Sequence, residues 1–286
     1  MANDCRFAVL IDADNVSVKY IKIILDEISK DGIATYKRIY GDWTNPSLIS
    51  WKSALLDNSI IPIQQYSYTT GKNSTDSAMI IDAMDILYSG KVEGFCLVSS
   101  DSDFTRLAAR LRESGMTVIG MGESKTPNSF IASCNKFKYL DILSAADEEE
   151  PEDAQKPELP KKALQQKKSP SRKTASQRKA KDEPKTEKEP KAFDTKKQQK
   201  DIEEPRTSLR TIRRALRTIV RENSDEDNWI IIGKVGNILG KRYPDFDVRN
   251  FGFSKLTPFL DSLDMFEIKS ERKDSNSSPQ MYVRLK

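Results

Sequence analysis

Short apolar runs separated by helical patterns are the feature that most limits how this chain can fold. The runs "RFAVLI" (residues 6–11) and "GFCLVS" (94–99) are typical of strands buried on both faces of a parallel sheet. Three weaker strand candidates are "ATYKRIYG" (34–41), "IIPIQQY" (60–66) and "MTVIGMG" (116–122). Amphipathic helical patterns lie between the strand candidates. Strand followed by helix, repeated along residues 1–146, predicts an α/β domain with a doubly wound, Rossmann-like parallel sheet.

Residues 147–206 differ in composition from the rest of the chain. They carry an acidic stretch, "DEEEPEDAQ", and then a basic one, "KKALQQKKSPSRKTASQRKAK", and their one aromatic residue is Phe193. Such a composition cannot bury enough apolar surface to offset the entropy of folding, so we predict a disordered linker. The basic stretch is either a solvated spacer or a sequence-independent contact with RNA phosphates.

Residues 207–286 show helical patterns followed by strand patterns. "SLRTIRRALRTIVRE" predicts an amphipathic helix capped by Thr207 or Ser208, and two shorter helices follow, the second with Ser254 as its cap. "MFEIKS" and "QMYVRLK" predict a terminal hairpin. Three helices and a hairpin indicate a small, winged-helix-like α+β domain. It carries 15 basic and 11 acidic residues, whereas residues 1–146 carry 15 basic and 17 acidic ones.

The chain has no histidine, and its three cysteines form no CxxC pair. The lack of histidine excludes Ser-His-Asp and Cys-His nucleophiles, His-ligated zinc and histidine acid–base catalysis. The N-terminus has neither the basic start nor the apolar stretch of a signal peptide, and no apolar run reaches the roughly 20 residues that span a bilayer. We expect a cytoplasmic protein with no membrane contact and no haem or nucleotide cofactor.

The two strongest strand candidates each end in a cluster of polar residues. The first is followed by Asp12, Asp14 and Asn15, and the second by Ser99, Asp101 and Asp103. Asp76 and Asp82 lie in a predicted helix after the third strand. Because ligands of open parallel sheets bind outside the carboxyl ends of the strands, these acids are expected to converge.

Converging carboxylates repel one another and need a compensating charge. Two like charges about 4 Å apart repel by about 4 kcal/mol at an effective dielectric near 20. A hard divalent ion such as Mg²⁺ or Mn²⁺ prefers oxygen ligands and would relieve that repulsion. Such an ion also lowers the pKa of an attacking water and stabilises the charge of a phosphodiester. The acids therefore predict a magnesium or manganese site with hydrolytic chemistry.

Other interpretations of the acids are open. Asp and Ser are favoured helix caps, so Asp14, Ser102 or Asp103 could simply begin helices, and Arg106 or Arg110 could neutralise the acids as surface pairs. Asp82 points away from Asp76 at 100° per residue, so a structural role for it is equally open. "DADNV" (12–16) also fits the first motif of haloacid-dehalogenase-type phosphatases, in which the first Asp is a covalent nucleophile, but the downstream motifs of that class are not evident.

Three separated motifs resemble those of the NYN domain, the PIN-like nuclease fold of the LabA type. They are "VLIDADNVS", "KNSTDSAMIIDAMDIL" and "GFCLVSSDSDF", in that order, and the resemblance covers residues 6 to about 142. It implies a metal-dependent ribonuclease in which Asp12, Asp76 and Asp101 are the catalytic, metal-binding acids and Asp103 assists them at the metal. We predict supporting roles for Asn15, Asp14, Ser99 and Asp82, and an RNA contact for Lys72.

The segment "WIIIGKVGNILGKRYPDFDVRNFGFSKLTPFLDSL" with its two following strands resembles a LOTUS domain, also called OST-HTH. The resemblance implies a winged helix that binds RNA or docks onto a protein partner. The residues predicted to form its RNA-binding basic face are Lys234, Lys241, Arg242, Arg249 and Lys255. The predicted core consists of Phe253, Leu256, Leu260 and Leu263. Tyr243 and Phe246 could belong either to the core or to the surface.

These patterns together predict a ribonuclease that hydrolyses RNA with a carboxylate-held Mg²⁺ or Mn²⁺ ion. The predicted LOTUS domain and the basic linker would retain the RNA. The alternative is an RNA-binding regulatory adaptor that keeps the NYN fold without catalysis. The expected domains are residues 1–146, 147–206 and 207–286.

Overall fold

The structure is a computed structural model, and it describes residues 5–66, 74–148, 207–272 and 279–286. Lys72 and all but the first two residues of the predicted linker lie outside these ranges. The described parts on either side of the predicted linker belong to one compact unit.

A parallel sheet forms the centre of the N-terminal region. Its order is β3-β2-β1-β4-β5-β6, and every neighbouring pair is parallel. The strands are β1 (Arg6–Asp12), β2 (Ile33–Gly41), β3 (Ile61–Gln64), β4 (Gly94–Val98), β5 (Thr117–Gly122) and β6 (Lys136–Tyr139). The five predicted strands are confirmed. The edge strand β6 was not predicted, because its sequence, "KFKY", alternates lysine with aromatic residues and is only four residues long.

Helices cover both faces of this sheet, which confirms the predicted α/β class. They are α1 (Ile21–Ser29), α2 (Trp51–Asp57), α3 (Ser74–Ser89), α4 (Thr105–Glu113), α5 (Asn128–Ser133) and α6 (Leu140–Glu148). Alternate residues of β1 enter different cores: Val9 and Ile11 pack with α1 and α2, whereas Ala8 and Leu10 pack with α3 and α4. This two-sided burial explains why β1 and β4 read as continuous apolar runs.

The strand order reverses between β1 and β4, and this position defines the site. The chain moves outward from β1 to β3, then crosses back so that β4 lies on the other side of β1. Ile11 pairs with Val98 at the carboxyl ends of the two strands, so the residues that follow each strand are neighbours. A reversal of this kind leaves a crevice outside the carboxyl ends, where ligands of such sheets bind.

The C-terminal region contains the predicted three helices and hairpin. Its elements are α7 (Leu209–Asn223), β7 (Ile230–Ile231), α8 (Ile232–Arg242), α9 (Leu256–Ser262), β8 (Phe266–Glu271) and β9 (Gln280–Leu285), with sheet order β7-β9-β8. Ser208 caps α7 by accepting a hydrogen bond from the Thr211 amide at 3.3 Å. The predicted Ser254 cap is wrong, since α9 begins after Lys255 without a side-chain cap. The two-residue strand β7 was also not predicted.

The aromatic residues of the C-terminal region contribute to its core. Leu260 and Leu263 are buried, and Phe253 and Leu256 pack against the same cluster in partly buried positions, as predicted. Tyr243 and Phe246, which the sequence left open, are also partly buried there. Phe259 lies at the centre, with the rings of Phe246, Phe251 and Phe253 around it.

The C-terminal region contacts the edge of the parallel sheet. The Phe137 amide of β6 donates to the Pro244 carbonyl at 2.8 Å, which covers an otherwise open strand edge. The Tyr139 hydroxyl donates to buried Asp245 at 3.2 Å. Asp245 also accepts from the amide and the hydroxyl of Thr207, at 2.7 and 2.6 Å, directly before α7. One buried carboxylate therefore joins β6 to the start of α7.

A second buried carboxylate, Glu27 of α1, joins the same two regions. Its side chain is 4% exposed and receives two hydrogen bonds from the Arg249 guanidinium, at 2.6 and 3.0 Å. Lys30 and Lys138 also pair with it, at 2.5 and 3.0 Å. Burial alone would raise the pKa of Glu27, but the hydrogen bonds from Arg249, Lys30 and Lys138 outweigh it and hold that pKa well below its ordinary value.

The depressed pKa of Glu27 predicts a loss of stability in acid. Its stabilising contribution is complete above about pH 4.5, the ordinary glutamate value, and falls as the pH drops toward the lower value of the folded state. The surrounding charges are Lys30 and Lys138, Arg249, and the acids Asp31 and Asp247 that share these cations. We expect the free energy of unfolding of the wild type to fall more steeply below pH 4.5 than that of Glu27→Gln. Urea unfolding at pH 7, 5, 4 and 3 measures this, and parallel curves would contradict it.

Candidate functional site

Asp12 ends β1 and connects the loops that follow β1 and β4. It is 0% exposed. Its Oδ2 accepts hydrogen bonds from Asn15 Nδ2 and Ser99 Oγ, both at 2.8 Å, and its Oδ1 accepts one from the Asp14 amide at 3.1 Å. Ser99 Oγ in turn accepts from the Asp101 amide at 3.1 Å. Asp12 therefore sets the positions of both loops, and the predicted supporting residues Asn15 and Ser99 contact it directly.

The buried position of Asp12 shifts its ionisation. Burial raises the pKa of Asp12, while the hydrogen bonds from Asn15, Ser99 and the Asp14 amide oppose that rise. A covalent nucleophile must reach its substrate, and a carboxylate with no exposed surface and three hydrogen-bond donors does not. This geometry disfavours the aspartyl-phosphate phosphatase interpretation.

Three acids from two separate parts of the chain, the start of α3 and the loop after β4, come together beside Asp12. Asp76, Asp101 and Asp103 each place a carboxylate oxygen within 4.8 Å of those of the other two. Asp76 lies in the first turn of α3 and is buried, Asp101 is half-buried, and Asp103 is exposed. The group therefore runs from the protein interior out to solvent.

Asp101 caps a helical turn and also belongs to the group of three acids, so the two interpretations of this residue are compatible. Asp101 is the N-cap of the 3₁₀ turn Ser102–Phe104, where its Oδ1 accepts from the Asp103 amide at 2.9 Å. This cap turns the chain so that both acids face Asp76. Arg110 is one of the two arginines suggested as surface partners of the acids. Its guanidinium donates a hydrogen bond to Ser114 Oγ at 2.9 Å.

Burial and the neighbouring acids together shift the ionisation of Asp76. Burial, followed by repulsion from Asp12, Asp101, Asp103 and Asp14, raises the pKa of Asp76 to about 6. A carboxylate held this close to others is destabilised unless a cation or a proton is shared. The donors are all carboxylate oxygens, the ligand type that Mg²⁺ and Mn²⁺ prefer. The residues present therefore fit a divalent metal ion.

Asp14 and Asp82 have structural contacts on either side of the cluster. Asp14 Oδ2 accepts a hydrogen bond from Thr75 Oγ1 at 2.9 Å, which ties the loop after β1 to the start of α3. Asp82 pairs with Arg38 and accepts a hydrogen bond from the Tyr40 hydroxyl on β2. Asp82 thus has partners of its own, in keeping with a helical position that points away from Asp76.

Four of the five residues of the predicted basic face are exposed in the structure, and the fifth lies in ion pairs. Lys234, Lys241, Arg242 and Lys255 are exposed. Arg249 instead pairs with Glu27 and Asp247, so its guanidinium charge is already neutralised. Lys72 lies outside the described residues.

Sequence reasoning missed Thr75, Glu27 and Asp245. Thr75 is buried and precedes Asp76 in "NSTD", where it resembled one more polar residue at a helix start. Glu27 carried a signal: it lies three residues after Ile24, on the apolar face of α1, where a charge needs a partner. Asp245 follows Pro244 in a loop and offered no such pattern.

No helix among the described residues is long and apolar enough to cross a membrane.

Comparisons with known proteins find two domain families along the chain. The family model for the NYN domain matches residues 6–141, and that for the OST-HTH/LOTUS domain matches residues 206–277. A search of curated proteins found no match. Among solved structures, the chain is similar to a protein of unknown function from Vibrio parahaemolyticus, with 17% identity, 49% of this chain and 94% of that chain covered, and a TM-score of 0.42.

The two matched families have general properties that bear on this chain. The NYN domain belongs to a PIN-like nuclease superfamily whose members typically use divalent metal ions, and the LOTUS domain is an RNA-binding module. Their combination supports a nuclease or RNA-binding role. The chain therefore carries an NYN domain at residues 6–141, followed by an OST-HTH/LOTUS domain at residues 206–277.

Proposed function

We propose that the protein is a metal-dependent ribonuclease whose active site is the acid cluster at the carboxyl end of the NYN sheet. The observation that carries this proposal is the convergence of Asp76, Asp101 and Asp103 within 4.8 Å, next to buried Asp12, at the point where the strand order reverses. Acids brought together from three separate segments, at a recognised ligand-binding position, point to a metal ion and an anionic substrate.

Each residue has a distinct role in this proposal. Asp76, Asp101 and Asp103 would hold Mg²⁺ or Mn²⁺, which supplies a water of lowered pKa and stabilises charge on the phosphodiester. Asp12 maintains the loops through Asn15 and Ser99, and its own charge adds to the attraction for a cation. Thr75 and Asp14 hold the start of α3, so that Asp76 stays oriented toward the other two acids.

The charge distribution gives the LOTUS domain a role in retaining RNA. Residues 1–146 carry a slight excess of acids, whereas residues 207–286 carry 15 basic and 11 acidic residues. A basic domain in contact with the NYN domain raises the local concentration of RNA near the acids, which would otherwise repel it.

Metal removal is the direct test of this function. We expect the purified full chain to cleave labelled single-stranded or structured RNA in Mg²⁺ or Mn²⁺. Excess chelator should reduce cleavage to background, because the clustered carboxylates alone provide no electrophile. Re-addition of the metal should restore it.

Two outcomes would contradict the proposal. Cleavage that persists in chelator would exclude a role for the metal. RNA binding without cleavage in any divalent metal would identify an RNA-binding adaptor that retains the NYN fold.

A further inference from the structure

The outer surface of α7 carries a continuous row of arginines. Arg210, Arg213, Arg214, Arg217 and Arg221 are all exposed, and their spacing of three and four residues places them along one side of the helix. The opposite side is apolar and forms the LOTUS core through Ile212, Ala215, Leu216, Ile219 and Val220. From Arg210 to Arg221 the row extends about 16 Å at the rise of an α-helix. We call these five residues the arginine face.

The charge of the arginine face is not neutralised by the folded domain. Among the ion pairs formed by residues 207–272 and 279–286, none involves these five arginines. Arg213 makes one hydrogen bond, to the Leu263 carbonyl at 3.2 Å. Like charges at these helical spacings repel one another, and Arg210 also lies in the first turn of α7, where the helix dipole disfavours a cation. An anionic partner would relieve both effects.

A groove between α7 and the end of α8 extends this basic surface. It is lined by Arg210, Arg214 and Thr218 of α7 and by Arg242 and Tyr243 at the end of α8. Guanidinium groups bind phosphates through paired donors, and an aromatic ring beside them provides a face for an unstacked base. The combination suits a nucleic acid strand better than an acidic peptide, which offers carboxylates but no bases.

The start of α7 is attached to the edge strand of the parallel sheet. Asp245 bonds both Thr207, next to the α7 cap, and Tyr139, the last residue of β6. The first arginine of the face, Arg210, follows Thr207 by three residues, so this buried carboxylate attaches the start of the arginine face to the NYN domain.

Given the ribonuclease function above, we propose that the arginine face, with Arg242 and Tyr243, binds the phosphate backbone of RNA and retains it on the protein. The recognition is independent of sequence, since phosphates rather than base edges carry the contacts.

The test measures RNA affinity in chelator, where cleavage does not interfere. The full chain is titrated against a labelled 30-nucleotide single-stranded RNA at several salt concentrations. The triple variant Arg210→Gln, Arg214→Gln, Arg217→Gln is compared with Lys22→Gln, Lys52→Gln, Lys91→Gln, which removes three exposed charges from the NYN domain. We expect the arginine variant to bind at least about tenfold more weakly and to lose about 2 from the salt slope, at about 0.7 for each lost phosphate contact on a single strand.

The control variant should stay within about twofold of the wild type, because its three lysines belong to the NYN domain and not to the arginine face, so no phosphate contact is lost. Unchanged affinity in the arginine variant, or an equal loss in the lysine variant, would overturn the proposal. Circular dichroism of both variants checks that α7 remains folded, since glutamine keeps a high helix propensity.

The result of this binding experiment can be distinguished from the result of the cleavage test of the proposed function. Arginine-dependent RNA binding without cleavage would support the surface and reject the nuclease. Metal-dependent cleavage with unaltered RNA affinity in the arginine variant would support the nuclease and reject the surface.

Discussion

Replacing Asp76 or Asp101 by asparagine is expected to reduce RNA cleavage at least about 100-fold without weakening RNA binding. Loss of an outer-shell partner of a metal ligand typically costs 10–100-fold in activity, so loss of a direct ligand should cost at least the upper end of that range. The affinity for RNA should persist, because the acid cluster repels RNA rather than binding it when no metal is present. The measurement is single-turnover cleavage in Mn²⁺, with RNA affinity determined separately in chelator.

Asp85→Asn is the matched control for these variants. Asp85 lies on α3 like Asp76 but is exposed, and the substitution removes the same charge. It should retain wild-type cleavage. If Asp85→Asn were as impaired as Asp76→Asn, the effect would reflect the charge of α3 and not the acid cluster.

The stability of Asp76→Asn gives a readout that does not depend on activity. Crowding with Asp12, Asp101 and Asp103 destabilises the ionised Asp76 of the folded protein at neutral pH. Removing that charge should therefore raise the midpoint of thermal unfolding in chelator, whereas a divalent metal should stabilise the wild type more than the variant. A lower midpoint in chelator would mean that Asp76 acts as a structural residue.

Asp12→Asn tests the role of the buried carboxylate beside the acid cluster. Its amide oxygen can still accept from Asn15 and Ser99, but its NH2 group then faces the Asp14 amide, which bonds the second carboxylate oxygen of Asp12 in the wild type. We expect cleavage to be lost and the unfolding free energy to fall by about 1–3 kcal/mol, the cost of one unsatisfied buried donor. Full retention of cleavage would show that Asp12 organises the loops without contributing its charge.

Replacing Glu27 by alanine is expected to lower the free energy of unfolding by about 3 kcal/mol, since removing one member of a buried charged group leaves its partners poorly compensated. Arg249 would keep Asp247 and Lys138 would keep Asp31, which places the expected loss at the lower end of the known range. Because Arg249 is on the LOTUS domain, the contact between the two domains should also weaken. Urea unfolding measures the first effect and small-angle X-ray scattering the second, as an increased radius of gyration.

Asp26→Ala is the control for this prediction. Asp26 is the neighbouring residue on α1, and it is exposed. Its loss should change the unfolding free energy by no more than about 0.5 kcal/mol. An effect of Glu27→Ala as small as that of Asp26→Ala would show that the buried charge cluster adds no net stability.

Most of the fold could be predicted because its patterns are local. β1 and β4 are apolar on both faces, α1 and α7 repeat at helical spacing, and the acids come directly after the strands that carry them. Asp101 and Asp103 lie at the carboxyl end of the sheet because they follow β4, whereas Asp76 joins them through the packing of α3 against β1. The errors were also local: β6 is short and half polar, and Ser254 lost the cap position to Lys255 by one residue.

The amino-acid sequence by itself determined the two domains, the strand–helix order and the acids of the candidate site, because each depends on neighbouring residues or on the direction of one strand. Only the tertiary structure decided which charges compensate one another. Glu27 and Arg249 are 222 residues apart, and nothing near either residue indicates the other. The same packing neutralises Arg249 and leaves the arginines of α7 exposed. Arg249 and the arginines of α7 look alike in the sequence. They differ in which side chains the folded chain brings within hydrogen-bonding distance of each guanidinium group.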